Sequence, residues 1–136
     1  MSRLRLLALL AALAVALSGC GLGGGQGDDD VSLLVTRDFG ARTLGSFGPG
    51  PVEGSETIMR LLQRNFEVET RYGGGFVQAV DGIAGGREDG RPVDWFYYVN
   101  GVEADRGSAS SPVHGGDRIW WDFRDWGTAP RVPAVV

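Results

Sequence analysis

The chain has 136 residues, 43% of them hydrophobic and 22% charged, with a formal net charge of −4. All thirteen basic residues are arginine and none is lysine, which excludes Schiff-base and lysine-base chemistry. An acidic chain is a poor partner for nucleic acid or anionic lipid heads, because both are held by basic side chains.

Met1 to Arg5 is short and cationic, through Arg3 and Arg5, and Leu6 to Leu17 is an almost unbroken Leu/Ala/Val run. About a dozen apolar residues make a signal-peptide core and are too few to cross a bilayer. Leu17-Ser18-Gly19 then leads into Cys20, the chain's only cysteine. That order resembles a bacterial lipoprotein signal peptide with its lipobox. The resemblance implies that residues 1–19 are removed, that the Cys20 thiol receives a diacylglyceryl group, and that Cys20 becomes the mature N-terminus. The protein would then sit on the outer, extracytoplasmic face of the cell membrane, because two acyl chains anchor stably where one binds only marginally. The alternative is an ordinary secretory signal with an incidental cysteine. Removal of the 19-residue leader and its two arginines leaves 117 residues with a charge of −6, enough for one domain with a real core. With Cys20 acylated, no thiol remains for a disulfide, a thiolate metal site or a cysteine nucleophile.

After Cys20, residues 21–30 are glycine-rich and end in Asp28-Asp29-Asp30, so 20–30 reads as the lipidated cysteine plus a solvated tether. The folded domain is expected over 31–128, with an apolar tail at 129–136. Val31 to Thr36 is β-prone, and Ala41 to Phe47 can pair back on it through the Asp38-Phe39-Gly40 corner. Gly48-Pro49-Gly50-Pro51 reads as a loop. Ser55 suits a helix N-cap, with Glu56 in the first turn, and Ile58, Leu61, Leu62 and Phe66 recur at helical spacing. From Phe66 to Tyr72 the period becomes two. Phe76 to Val80 resumes the strand pattern after Gly73-Gly74-Gly75, and Gly85 to Arg91 reads as a polar loop. Trp95 to Val99 is strongly β-prone and closes on Asn100-Gly101, a hairpin signal. A loop from Ala104 to Pro112 leads to the last strand, Ile119 to Phe123. Strands, one helix and more strands make an α+β pattern, the helix packed on a mixed, mostly antiparallel sheet.

Four pieces occur in order: Glu56-Thr57-Ile58-Met59, Gly75 to Gly82, Trp95 to Gly101 and Gly116 to Trp121. Together they resemble a bacterial domain family of uncharacterised function related to the C-terminal domain of the transcobalamin and intrinsic-factor cobalamin carriers. The resemblance implies a ubiquitin-like β-grasp fold and a surface-attached module, some relatives of which are linked to cobalamin capture or adhesion. It implies a corrinoid as candidate ligand, and no ligand contact is carried over residue by residue.

The aromatic residues locate a candidate site. Along a strand Trp95, Tyr97 and Val99 face one way, and Phe96 and Tyr98 the other. Ile119, Trp121 and Phe123 likewise oppose Trp120, Asp122 and Arg124. One helix covers one sheet face, so a second aromatic surface is left over. That surface is either a stacking platform for a ligand or an apolar partner, or is buried by Ala104–Pro112 and the tail. Trp120 and Trp126 are the expected exposed residues, with Arg124 and Asp125 at the rim, and the candidate ligand-binding set is Trp120, Trp126, Trp95, Tyr97 and Arg124. No catalytic or metal site is expected. His114 lacks cysteine partners, and Ser108, Ser110 and Ser111 lack a nucleophile elbow. Asp122 and Asp125 fall in no acid/base motif, and the glycine clusters have no phosphate-loop setting. The expectation is a non-enzymatic lipoprotein that binds a small molecule or delivers it to a transporter. The alternative is an interaction or adhesion module of the cell envelope.

Overall fold

The computed structural model describes residues 29–128. The expected leader, the lipidated Cys20, most of the tether and the tail at 129–136 lie outside the described residues. Ten elements follow in order: β1 (Val31–Arg37), β2 (Arg42–Gly50), α1 (Ile58–Asn65), β3 (Val68–Arg71), β4 (Phe76–Val80), β5 (Ile83–Ala84), β6 (Gly86–Glu88), β7 (Arg91–Val99), β8 (Val102–Glu103) and β9 (Arg118–Asp125). The larger sheet has the order β2-β1-β9-β7-β6, with β8 paired on β7, and β3-β4-β5 form a smaller antiparallel sheet. Among the described residues only β1 and β9 run parallel, in a register that sets Val35 beside Trp121. The fold class is α+β.

One face of the larger sheet makes the core. Val31, Leu33 and Val35 of β1, Val93, Trp95 and Tyr97 of β7, and Ile119, Trp121 and Phe123 of β9 are all buried there. They pack with Ile58, Leu61 and Leu62 of α1 and with Val77 and Val80 of β4. The strand alternation read from the sequence groups these residues correctly within β7 and within β9, and the packing decides that they are the inward set. The smaller sheet shares in covering it: the Trp95 indole N–H donates to the Ile83 carbonyl at 2.8 Å. Among the described residues no helix is long and apolar enough to cross a membrane.

Local chemistry accounts for the boundaries, including those the sequence misplaced. Asn100 and Gly101 both take positive φ (51° and 83°), as a two-residue hairpin turn requires. Asp89-Gly90 does the same (50° and 78°), so part of the expected loop at Gly85–Arg91 is the β6–β7 hairpin. Its strand is too short and polar to carry a periodic signal. β2 runs through Gly50, where a loop was expected; as the edge strand it tolerates Pro49, which lacks an N–H.

The helix N-cap is Thr57 rather than Ser55: the Thr57 hydroxyl accepts from the Arg60 N–H at 3.3 Å. Glu56 precedes the helix and turns inward, because Arg64 in the last turn meets its carboxylate with Nε at 3.0 Å and a second guanidinium nitrogen at 3.1 Å. The Glu53 N–H also donates to it at 3.3 Å, and the Arg64 guanidinium lies 4.8 Å from the Phe47 ring centroid. Arg64 thus ties the helix to both the preceding segment and β2. Glu56 is buried, so Arg64→Ala leaves an uncompensated carboxylate. We expect a loss of about 3 kcal/mol in urea unfolding, with Arg64→Lys recovering part but not all of it, because it cannot reproduce the bidentate pair.

Candidate functional site

The loop between β8 and β9 reaches the core face, contrary to the expectation that Ala104–Pro112 would bury the opposite one. The physical cause is the start of α1, whose first N–H groups have no partner within the helix. Ile58 N–H donates to the Ser111 carbonyl at 2.9 Å, and Met59 N–H donates to the Ser108 carbonyl at 3.1 Å. The Tyr97 hydroxyl donates to the Arg106 carbonyl at 2.7 Å and lies 3.0 Å from the Ser111 hydroxyl. Held there, the loop passes the turn before β4, and a Cβ on Gly107 would sit 3.6 Å from the Gly75 carbonyl.

Between that loop, the start of β4 and the end of β7 lies a cleft of about 220 Å³. Its walls include Phe76, Val77, Trp95, Tyr97, Gly107 and Trp121. Tyr97 and Trp121 stack at 4.9 Å between ring centroids, an offset aromatic pair. Phe76 is partly exposed at the margin and meets Tyr72 edge-on at 6.0 Å; Tyr72 is 85% exposed. Two of the three indole or phenol groups in the wall are satisfied, Trp95 by Ile83 and Tyr97 by Arg106. Trp121, 2% exposed, has an indole N–H with no hydrogen-bond partner among the described residues.

Of the five sequence-predicted residues, Trp95 and Tyr97 line this cleft. Trp120 and Arg124 are on the opposite sheet face and are buried, at 8% and 1% exposure, which corrects the expectation of an exposed Trp120 and a rim Arg124. Trp126 lies past the end of β9, 44% exposed as expected. Phe76, Trp121 and Gly107 were missed as cleft residues. The alternation grouped Trp121 with Ile119 and Phe123 on its own strand, and only the β7–β9 register, which sets Trp121 beside Tyr97, brings it to the cleft.

The opposite face is occupied by the β1–β2 turn and a polar network. Asp38, Phe39 and Gly40 all have positive φ (58°, 61° and 80°), a costly run for two non-glycine residues. It points the Phe39 and Gly40 N–H groups at the Asp122 carboxylate, at 3.0 and 3.1 Å, as a backbone nest holds an anion. The Thr36 hydroxyl donates to the same carboxylate at 2.7 Å and accepts from the Trp120 indole N–H at 2.7 Å. Gly40 sits against Trp120, where an added Cβ would lie 3.5 Å from the indole ring. Tyr98 stacks on Trp120 at 4.4 Å, and the Arg124 guanidinium lies 3.9 Å from the Phe96 ring centroid. Arg124 also meets Glu103 at 3.3 Å. Burial pushes the Asp122 carboxyl up, opposed by its hydrogen bonds and by Arg124. These contacts fix the β1–β2 turn against β9.

Neither remaining candidate gathers a site. His114 has its Nδ1 3.6 Å from Asp117 and is largely exposed. Asp125 accepts from the Gly127 N–H and the Thr128 hydroxyl, both at 2.7 Å, while Asp122 points to the other face of β9. No group of three or more His, Cys, Asp or Glu side chains that could hold a metal ion occurs among the described residues. A further hollow, about 480 Å³, is lined by charged side chains such as Arg37, which is already held by Glu88 at 2.6 Å and Asp38 at 2.9 Å.

An α+β domain with an aromatic cleft between its sheets is the class of protein these features define. Residues 55–125 match the family described as "Domain of unknown function (DUF4430)", and the chain belongs to that family. Its fold is similar to a crystal structure from Ruminococcus gnavus ATCC 29149, solved at 1.30 Å and named there a "putative metal binding protein". The TM-score is 0.53 at 15% identity, over 71% of this chain and 97% of that chain. No curated protein matches this chain.

Burial also raises the Asp94 carboxyl from its ordinary value, opposed by the Trp95 N–H at 2.8 Å. The folded state therefore binds the proton more tightly than the unfolded chain. This contribution strengthens the fold as pH falls from above the raised value towards about 4, and weakens it as pH rises. In urea unfolding, Asp94→Asn should remove that term. The stability of wild type relative to the variant should rise as pH is lowered from 7 to about 4.

Proposed function

We propose that this protein is a lipid-anchored, non-enzymatic binding module on the outer face of the cell membrane, which holds a small molecule at the cleft and presents it to a transport system. The observation that carries the reading is the cleft itself, an aromatic concavity between two sheets, and ligand sites are concave and mostly apolar. A β-grasp assignment is supported by the strand order β2-β1-β9-β7-β6 with its parallel centre and by the helix that follows the first hairpin. Anchoring is supported by the leader that ends at Cys20. A mass gain of one diacylglyceryl group on the N-terminal peptide beginning at Cys20 is the expected result, and an unmodified thiol there would overturn it.

A corrinoid is the candidate ligand implied by the family resemblance. The cleft of about 220 Å³ takes one ring or side group, so a corrin macrocycle would engage it by an edge and lie largely outside. The metal-binding name of the structural neighbour gains no support from the described residues, which gather no ligand set. A second reading, a docking module for an envelope protein, draws on the exposed Tyr72 and Phe76 pair beside the cleft, since exposed aromatics serve as interface anchors.

Calorimetric titration of the protein with cobinamide and cobalamin tests the first reading. Saturable binding in the micromolar range, weakened at least tenfold by Phe76→Ala with an unchanged circular dichroism spectrum, is the expected result. Absence of binding heat with both would remove the corrinoid and favour the docking module.

A further inference from the structure

We propose that the hollow bordered by the β1–β2 turn, the β6–β7 hairpin and the end of β9 is a second binding site, for a neutral saccharide. It shares no lining residue with the cleft and goes beyond the function proposed above.

Three elements end together here. β1 closes with Arg37 and turns through Asp38 and Phe39, the hairpin brings Glu88 and Arg91, and β9 runs out at Asp125 with Thr128 beyond it. The space between them is about 480 Å³, within the roughly 300–1,000 Å³ of small-molecule sites.

The charges suit neither sign of ion. Arg37 spans two carboxylates, with Nε 2.9 Å from Asp38 Oδ2 and a second guanidinium nitrogen 2.6 Å from Glu88 Oε1. The other oxygens, Asp38 Oδ1 and Glu88 Oε2, have no hydrogen bond among the described residues. The two side chains are 56% and 41% exposed, so a solute reaches both. Arg91 is exposed too, and its guanidinium takes part in no ion pair or hydrogen bond among the described residues. An anion drawn to Arg91 meets the carboxylates, and a cation drawn to the carboxylates meets two arginines. Neighbouring hydroxyls on a sugar avoid both conflicts, because a hydroxyl donates to a carboxylate oxygen while accepting from a guanidinium.

The apolar wall is Phe39, and its ring is not required by the turn. The nest around Asp122 uses only the Phe39 N–H, which glycine would supply at φ 61° without the left-handed cost. Strained backbone that presents a side chain is a mark of functional sites. The Arg124 guanidinium lies 5.6 Å from the ring centroid, yet Phe39 keeps 44% of its surface open. An open ring beside polar groups of both kinds matches the two sides of a sugar, its C–H face and its hydroxyl rim.

Position agrees with this. The Gly116 N–H donates to the Asp30 carbonyl just before β1, and the hollow lies at the far end of that strand, ~20 Å on. With Cys20 anchored as proposed above, this is the end of the sheet away from the tether, open to a surrounding polysaccharide. The placement rests on that anchoring; the site does not.

The test is a nuclear magnetic resonance titration of the full, ¹⁵N-labelled chain in sugar-free detergent micelles. The probes are maltose and diacetylchitobiose, both neutral, with glucuronate and glucosamine as the anionic and cationic controls. The expected result is saturable, millimolar shifts of the Phe39, Glu88 and Arg91 amides with a neutral probe, and stationary Val77 and Gly107 amides in the cleft. Phe39→Gly, which keeps the N–H to Asp122, should weaken binding about tenfold with an unchanged urea midpoint. Arg91→Gln should weaken it about fivefold; should Phe39→Gly unfold, this variant and the wild-type shifts decide. No saturable shift at the hollow with either neutral probe would overturn the site, whatever the corrinoid titration shows at the cleft. Tighter binding of glucuronate or glucosamine would overturn the neutral ligand, and wild-type affinity in both variants would overturn the assignment to this hollow.

Discussion

The parallel pairing of β1 with β9 is the constraint on which the rest of the structure depends. It brings Val31–Arg37, at the start of the described chain, against Arg118–Asp125, near its end, in one continuous register. Every other strand of the larger sheet is placed outward from this pair, β2 on one side and β7 with β6 on the other. Parallel neighbours cannot be joined by a tight turn and need a long crossover. Here that crossover contains the helix, the smaller sheet and the loop that forms the cleft. The cleft is thus made by the segment that the central pairing requires.

Both faces of the central pair carry weight, and they are built differently. The core face is apolar and closes by burial of Leu33, Val35, Trp121 and Phe123 under the helix, the non-directional part of the stabilisation. The other face is held by directed contacts. Asp122 draws in two backbone N–H groups and the Thr36 hydroxyl, so the β1–β2 turn lies against Trp120 rather than projecting into solvent. A buried carboxylate is costly unless its hydrogen bonds are made, and this one makes three. The surface that alternation alone left unassigned is therefore largely occupied by the protein itself.

The loop from Ala104 to Pro112 links stability to the proposed function. Its carbonyls satisfy N–H groups of the first helical turn, and the Arg106 carbonyl accepts from Tyr97. The contacts that hold the loop down also shape one wall of the cleft. Gly107 lies close to the turn before β4, where an added Cβ would make an ordinary contact with the Gly75 carbonyl at 3.6 Å. Binding geometry and helix capping share the same peptide groups, so a change that frees the loop would disturb both.

By itself the sequence determined the α+β class, the pairing of β1 with β2, the Asn100-Gly101 turn and the two sets of residues on alternate faces of β7 and β9. These follow from local rules, the two-residue period of a strand and the positive φ that Asn-Gly turns accept. The four-residue offset of Ile58 and Leu62 was equally legible as helix. Trp95 and Tyr97 of the candidate set line the cleft, whereas Trp120 and Arg124 are buried on the opposite sheet face. Only the tertiary structure decided which face was covered by which loop. The lodging of the β1–β2 turn depends on Asp122, more than eighty residues away, and the site of the 104–112 loop depends on the unpaired N–H groups of α1. Such choices rest on partners brought together by the β1–β9 pairing, and no local pattern in the chain encodes a contact of that range.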